Sequence, residues 1–228
     1  MKKMLVCMLL CVITTLSWAE DRDKVLDRVT EAGNVMNEIM AAPDKGIPED
    51  ILGSAECVAV VPSMLKGGFI VGAAYGKGVA SCKTPRGWSA PAFFRVEGGS
   101  FGFQIGGQAV DLVMVIMNER GMRALLSSKF KLGADASAAA GPLGRTASAE
   151  TDATLRADIL SYSRARGAFA GVSLEGSTLR PDNDANKNLY GKKIEAKEIV
   201  LDGAVKPPAS ASTLLETLDK ASPVNKSK

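Results

Sequence analysis

Apolar and polar positions along the chain fall into three successive patterns, and each predicts a different kind of element. Met4 to Trp18 is a nearly unbroken apolar run behind Lys2 and Lys3. From Asp21 to Ala42 the apolar residues Val25, Leu26, Val29, Ala32, Met36, Ile39 and Met40 recur in three- and four-residue steps, one stripe of an amphipathic helix that Pro43 and Gly46 end. Ile47 to Ala55 reads as a second, short helix with Pro48 in its first turn. The pattern then changes to strands. Cys57 to Val61, Gly68 to Tyr75, Gly78 to Cys82, Ala92 to Val96 and Phe101 to Ile105 are short, rich in Val, Ile and Phe, and separated by turn residues at hairpin spacing, which predicts an antiparallel meander. Asp111 to Met117, apolar at six successive positions, is a strand covered on both faces, and Glu119 to Ser128 reads as a helix. Leu160 to Arg164 and the alternating Ala170, Val172 and Leu174 read as a hairpin turning at Arg166-Gly167.

Glycine punctuates the strand region at 67, 68, 72, 76, 78, 98, 99, 102, 106 and 107. Inside a strand it costs stability unless a bulge, a bend or a close backbone approach needs it, so the sheet is expected to be strongly curved. The fold class expected is therefore α+β: N-terminal helices packed on a curved, Gly-rich antiparallel β-sheet system, barrel- or sandwich-like. From Val205 on, prolines, serines and a Lys-containing end predict a partly helical or disordered appendage. The segments expected are 1–19, 20–46, 47–203 and 204–228.

The first apolar run is too short to span a bilayer, follows a positive start and ends in Ser17-Trp18-Ala19, so it reads as an export signal cleaved after Ala19. Cys7 and Cys11 lie inside that run. Removal would leave about 209 residues, enough for one substantial core, and would lower the net charge from +3 to about +1. Such a balance is no footprint for nucleic acid. With no histidine in the chain, the commonest general base and transition-metal ligand are both missing. Cys57 and Cys82 remain after cleavage, and an oxidising compartment permits them either to pair or to stay as two buried thiols.

Read in order, Ile47-Pro48, Val60-Val61-Pro62, Lys66-Gly67-Gly68-Phe69, Tyr75 to Gly78, Gly87-Trp88-Ser89, Pro91 to Phe93, Gly99 to Gly106, Lys131 to Ser137, Gly141 to Arg145, Tyr162-Ser163 and Phe169 to Gly176 resemble the SYLF domain, also called the Ysc84 family, over about 47–190. The resemblance implies a non-catalytic lipid-binding module. Eukaryotic members are cytosolic, often carry an SH3 or FYVE module, bind phosphoinositides and in yeast bind actin; exported single-domain members are bacterial. Export would place this chain in the periplasm or outside the cell, with a membrane surface within reach for peripheral association, so actin is not expected as a partner and an anionic phospholipid is. The alternative is a structural protein of the periplasm that binds a protein or glycan.

Lipid headgroups call for cations or free backbone N–H groups beside an apolar surface. Lys66, read as lying in a turn before two glycines, and Arg145, closing Gly141 to Arg145, lead the candidates; Lys77, read at a hairpin tip, and the Lys129-Phe130-Lys131 triplet follow. For each of them by itself, a solvated loop cation is the simpler reading. The N-terminal helix mixes acids and bases on its polar face and has no aromatic residue after Asp21, so packing on the sheet suits it better than lying on a membrane. Ser63 to Lys66 has the S-x-x-K spacing of penicillin-binding proteins without its companion motifs. Asp182 to Asn188 imitates the start of a calcium loop, but Lys187 and Lys193 stand where its glycine and glutamate belong, and a helix N-cap after Pro181 accounts for it. No catalytic residue, metal or cofactor is expected; an enzyme would have to use carboxylates such as Asp135 or Glu175, or a Ser–Lys pair.

Overall fold

In the computed structural model, which describes residues 17–41, 46–68, 71–101, 106–143, 156–165, 168–172 and 174–222, the N-terminal stripe forms α1 (Ser17–Met40). Val25, Val29, Ala32, Val35, Met36 and Ile39 are buried along it, so the helix spends its apolar face on the sheet. The remaining elements are α2 (Glu49–Gly53), β1 (Cys57–Gly68), β2 (Val71–Thr84), β3 (Gly87–Trp88), β4 (Ala92–Phe101), β5 (Gly106–Ile116), α3 (Glu119–Leu125), β6 (Phe130–Lys131), β7 (Ala138–Ala140), β8 (Ile159–Ala165), β9 (Ala168–Gly171), β10 (Thr178–Pro181), α4 (Asn183–Tyr190), α5 (Ala196–Val200), a 3-10 turn at Ala209–Ala211 and α6 (Ser212–Ala221).

The strands form one sheet in the order β6-β10-β4-β2-β1-β5-β8-β7, with β3 paired to β2 and β9 to β8, curled into a half-barrel. The architecture is the expected α+β one, with helices on a curved sheet. Two features differ from an antiparallel meander. After β1, β2 and β4, β5 returns to lie beside β1, the order of a Greek key. The β7–β8 pairing is parallel, which makes the sheet mixed.

Alternation sends the strands' side chains into two cores. Val58, Val60, Val79, Phe93, Val113, Val115 and Tyr162 face α1, α4 and α6. Ala59, Val61, Phe94, Val96, Leu112, Met114 and Ile116 face the opposite side, which Leu125, Phe130, Ile199 and Val200 fill. Both faces of β5 are thus covered, as its apolar run predicts. Cys57 stands opposite Cys82 where β1 and β2 enter the core, and a disulfide joins them, the first of the two states that the sequence leaves open.

The strands are longer than the sequence reading, which broke them at glycines. Gly76 and Gly78 lie within β2 because β1 bulges between Val60 and Leu65, with Ser63 at φ 48°. A Cβ on Gly78 would sit 2.2 Å from the carbonyl oxygen of Val60, so the glycine marks a close approach and not a turn. The bulge is pinned from the far side: the Asp111 carboxylate accepts the Ser63 N–H at 2.9 Å and two N–H bonds from Arg164 at 2.8 and 2.6 Å. Arg164 also pairs with Glu38 of α1. The strand expected at Phe101 to Ile105 and the Arg166-Gly167 turn fall largely outside the described residues.

The C-terminal segment is no appendage. Leu214 and Leu218 of α6 are buried against α1, and Gly33 lies so close that a Cβ there would be 2.9 Å from the Leu214 nitrogen. Trp88 Nε1 donates to the Ser222 carbonyl at 3.1 Å. Its few apolar residues at three- and four-residue spacing sit among Pro and Ser, which concealed the stripe.

Candidate functional site

Side chains of directly opposed residues in paired strands share one face of the sheet. On the helix-bearing face, just past the buried Phe93 and Val79, Arg180 of β10 opposes Arg95 of β4, and Arg95 opposes Lys77 of β2. Two residues further along each strand the next line reads Lys131, Thr178, Glu97, Tyr75, Leu65, Ala109 across β6, β10, β4, β2, β1 and β5. At about 4.8 Å per strand, Lys131 to Leu65 spans roughly 19 Å.

Among the described residues, the three cations of the row share two carboxylates. Glu97 lies 3.6 Å from Arg95 Nε and 3.4 Å from Arg180 NH2, and the buried Asp182 carboxylate lies 3.8 Å from Lys77 Nζ. Neither Arg95 Nε nor Arg180 Nε makes a hydrogen bond. Like charges set opposite each other across strands are destabilising, and Glu97 and Asp182 are the carboxylates placed to offset that repulsion. Beside the row stand Leu65, 61% exposed, and Tyr75, 44% exposed, the two exposed large apolar side chains among the described residues. Beyond them the face continues as Gly67 and Ala73. A shallow open depression of about 480 Å³ results, lined by Leu65, Lys66, Gly67, Ala73, Tyr75, Gln108 and Ala109.

The structure brings two of the sequence candidates, Lys77 and Lys131, onto this face. Lys77 is mid-strand in β2 and not at a hairpin tip. Lys131 lies in β6, where the Asp135 carboxylate accepts its backbone N–H at 2.7 Å. Lys129 is exposed just before β6. Lys66 is in β1, opposite Ala74 and Gln108, and points to the other face of the sheet from Leu65; burial pushes its ammonium below the ordinary lysine value. The expected turn does not form, because Gly67 and Gly68 pair as strand residues with β2 and β5. Arg145 lies outside the described residues. Arg95 and Arg180 were missed by the sequence reading. The signal available was alternation, since Phe93, Arg95 and Glu97 must share a face.

Other candidates resolve as architecture. Asp182 caps α4, accepting the Ala185 N–H at 3.3 Å. Asp158 is the buried carboxylate that binds the start of β8 to the turn before α3, accepting from Asn118 Nδ2 at 2.9 Å and from the Ser137 N–H and O–H at 2.8 Å each. Asp135 and Glu175 are exposed. The space between Ala80, Phe94, Leu125 and Val200 holds only about 10 Å³, whereas ligand cavities run to about 300 Å³ or more.

A family model described as "Las17-binding protein actin regulator" matches residues 97–221, ending on the last residue of α6. The chain is 38% identical over 180 residues to an SH3 domain-containing YSC84-like protein 1 from Xenopus laevis, covering 78% of this chain and 53% of that protein. It is 37% identical over 179 residues to the Homo sapiens protein of the same name, covering 78% and 52%. It is 33% identical over 187 residues to LAS seventeen-binding protein 3 of Saccharomyces cerevisiae, covering 80% and 40%. The chain thus spans about half the length of the curated relatives it matches, or less.

Proposed function

The chain belongs to the Ysc84 family, and from that premise we propose that it is a non-catalytic binding module which meets anionic phospholipid surfaces through the face formed by Arg180, Arg95, Lys77 and Lys131 beside Leu65 and Tyr75. The observation that carries this reading is the three-cation row, sharing two carboxylates, with exposed apolar side chains on the adjoining line. Peripheral membrane binding combines these two ingredients: apolar side chains enter the headgroup boundary, and each cation held near an anionic surface adds about 1 kcal/mol. The small volume of the space between Ala80, Phe94, Leu125 and Val200 supports a surface contact there over an enclosed lipid tail. Export through the apolar leader would put an envelope membrane within reach.

Co-sedimentation with neutral vesicles and with vesicles containing phosphatidylglycerol tests the reading. Binding should require the anionic lipid, weaken with salt, and fall at least tenfold in a Lys77→Glu, Arg95→Glu double variant. Equal recovery in the supernatant with both vesicle types would overturn it.

A second reading is a protein partner on the same face, favoured by relatives whose names denote Las17 binding and actin regulation. Co-sedimentation with actin filaments separates the two: an exported module should stay in the supernatant, and pelleting that survives the double substitution would point to a protein-binding role elsewhere.

A further inference from the structure

Two carboxylates serve the cation row, and they are held differently. Asp182 is fixed: its side chain is 6% exposed, and it accepts the Ala185 N–H as the cap of α4. The Glu97 side chain is 36% exposed and bridges two guanidiniums from different strands, one oxygen to each. Its Oε1 lies 3.6 Å from Arg95 Nε and its Oε2 3.4 Å from Arg180 NH2. Both contacts are longer than the charge-assisted hydrogen bonds of about 2.7–2.9 Å that a guanidinium makes to a well-seated oxyanion. Arg95 Nε and Arg180 Nε are meanwhile shut off from water without a hydrogen-bond partner. Donors left unmade in this way are costly, so the pair suits an anion that reaches further in than Glu97 does. Directly across from Glu97 stand the neutral Thr178 and Tyr75, and among the described residues the two long contacts are its only ion pairs.

We infer that Glu97 is a tethered competitor, which occupies the anion subsite between Arg95 and Arg180 in the free protein and gives it up to the phosphate group of a ligand. The inference rests on the anionic-surface reading of this face and adds to it the subsite and its regulation. Exposed ion pairs are weak, so displacing the carboxylate costs little. Glu97 is held back by its own backbone, two residues along β4 from Arg95 and diagonal to Arg180. A phosphate is not confined in that way, and its oxygens can bridge the two guanidiniums and reach the Nε donors as well. Selectivity follows. A free carboxylate such as acetate gains nothing over the tethered one, whereas phosphate gains both charge and an oxygen. A surface with few anionic headgroups leaves Glu97 in place.

Titration of the full chain with inorganic phosphate, read on the arginine Nε–H signals in nitrogen–proton NMR spectra, tests the inference without a membrane. Phosphate should shift the Arg95 and Arg180 signals, and acetate at the same concentration should not. Glu97→Gln should tighten phosphate binding about threefold or more. In an Arg180→Gln background the same substitution should give a markedly smaller gain, whereas simple removal of a negative charge would give the full gain in both. Thermal denaturation confirms that each variant folds, and Glu97→Ser supplies a second neutral side chain. Phosphate that moves neither arginine signal, acetate that moves them as strongly, binding no tighter in either Glu97 variant, or an equal gain with and without Arg180 would overturn the inference. Co-sedimentation of wild type and Glu97→Gln with phosphatidylglycerol vesicles is a separate readout. Tighter phosphate binding by the variant while neither protein pellets would sink the membrane reading and leave the subsite standing.

Discussion

Arg95 and Arg180 stand directly opposite each other on β4 and β10, and the single Glu97 carboxylate lies within ion-pair distance of both. Selection for stability alone would place an acid or a neutral residue at one of the two positions. Arg180→Gln should therefore leave stability unchanged or raise it by roughly 0.2–1 kcal/mol while weakening binding to anionic vesicles. Thermal denaturation and co-sedimentation on the same preparation check both halves; a clear loss of stability would mean that the arginine is structural.

The close approach at the β1 bulge makes a second prediction. At Gly78 a methyl group would collide with backbone, which has nowhere to retreat without opening the β1–β2 ladder. Gly78→Ala should cost about 2–3 kcal/mol, at the upper end of overpacking effects. Urea denaturation measures it, and a change within about 0.5 kcal/mol would show that the bulge yields easily.

These two places also show what the sequence reveals and where it stops. The stripe of α1 and the apolar run of β5 are local patterns, and each predicts its burial because period and burial are one physical fact seen twice. The glycines of β2 mislead because their reason is a bulge on the neighbouring strand, which no residue of β2 encodes. The site shares that difficulty. Arg95 and Arg180 are far apart in the chain and become neighbours only through the β4–β10 register, so a reading that scored each cation by its own flanking glycines favoured Lys66 and Arg145. Alternation within β4 does put Arg95 on Glu97's face, and that much was available.

Asp158 sets an acid limit on stability. Burial pushes its carboxyl up, but hydrogen bonds from Ser137 and Asn118, with the Arg120 guanidinium 3.7 Å away, outweigh burial and hold it below the ordinary aspartate value. A depressed folded value means that the stabilisation is complete above the unfolded value of about 4 and is lost as the pH falls through the folded one. The wild-type chain should therefore lose stability steeply below about pH 4. In Asp158→Asn that acid limb should flatten, with a loss of about 2 kcal/mol or more at pH 7 because the donors of Ser137 and the guanidinium of Arg120 lose a charged acceptor. Denaturation at a series of pH values reads both effects, and parallel curves for the two proteins would remove Asp158 from the account.

The docking of α6 on α1 gives the last test. Leu214 is 1% exposed and sits where Gly33 lets the two helices come close, so the surroundings cannot collapse readily into a space left by its side chain. Leu214→Ala should cost about 2–4 kcal/mol. A substitution in a loosely attached appendage would cost nothing, since such a segment can detach while the rest stays folded. Leu215, only partly buried, supplies the internal control, and Leu215→Ala should cost clearly less. Comparable small losses for both would restore the appendage. A large loss at Leu214 alone means that the fold needs its chain through at least Leu218, and a fragment ending near residue 203 should then fail to give a cooperative thermal transition.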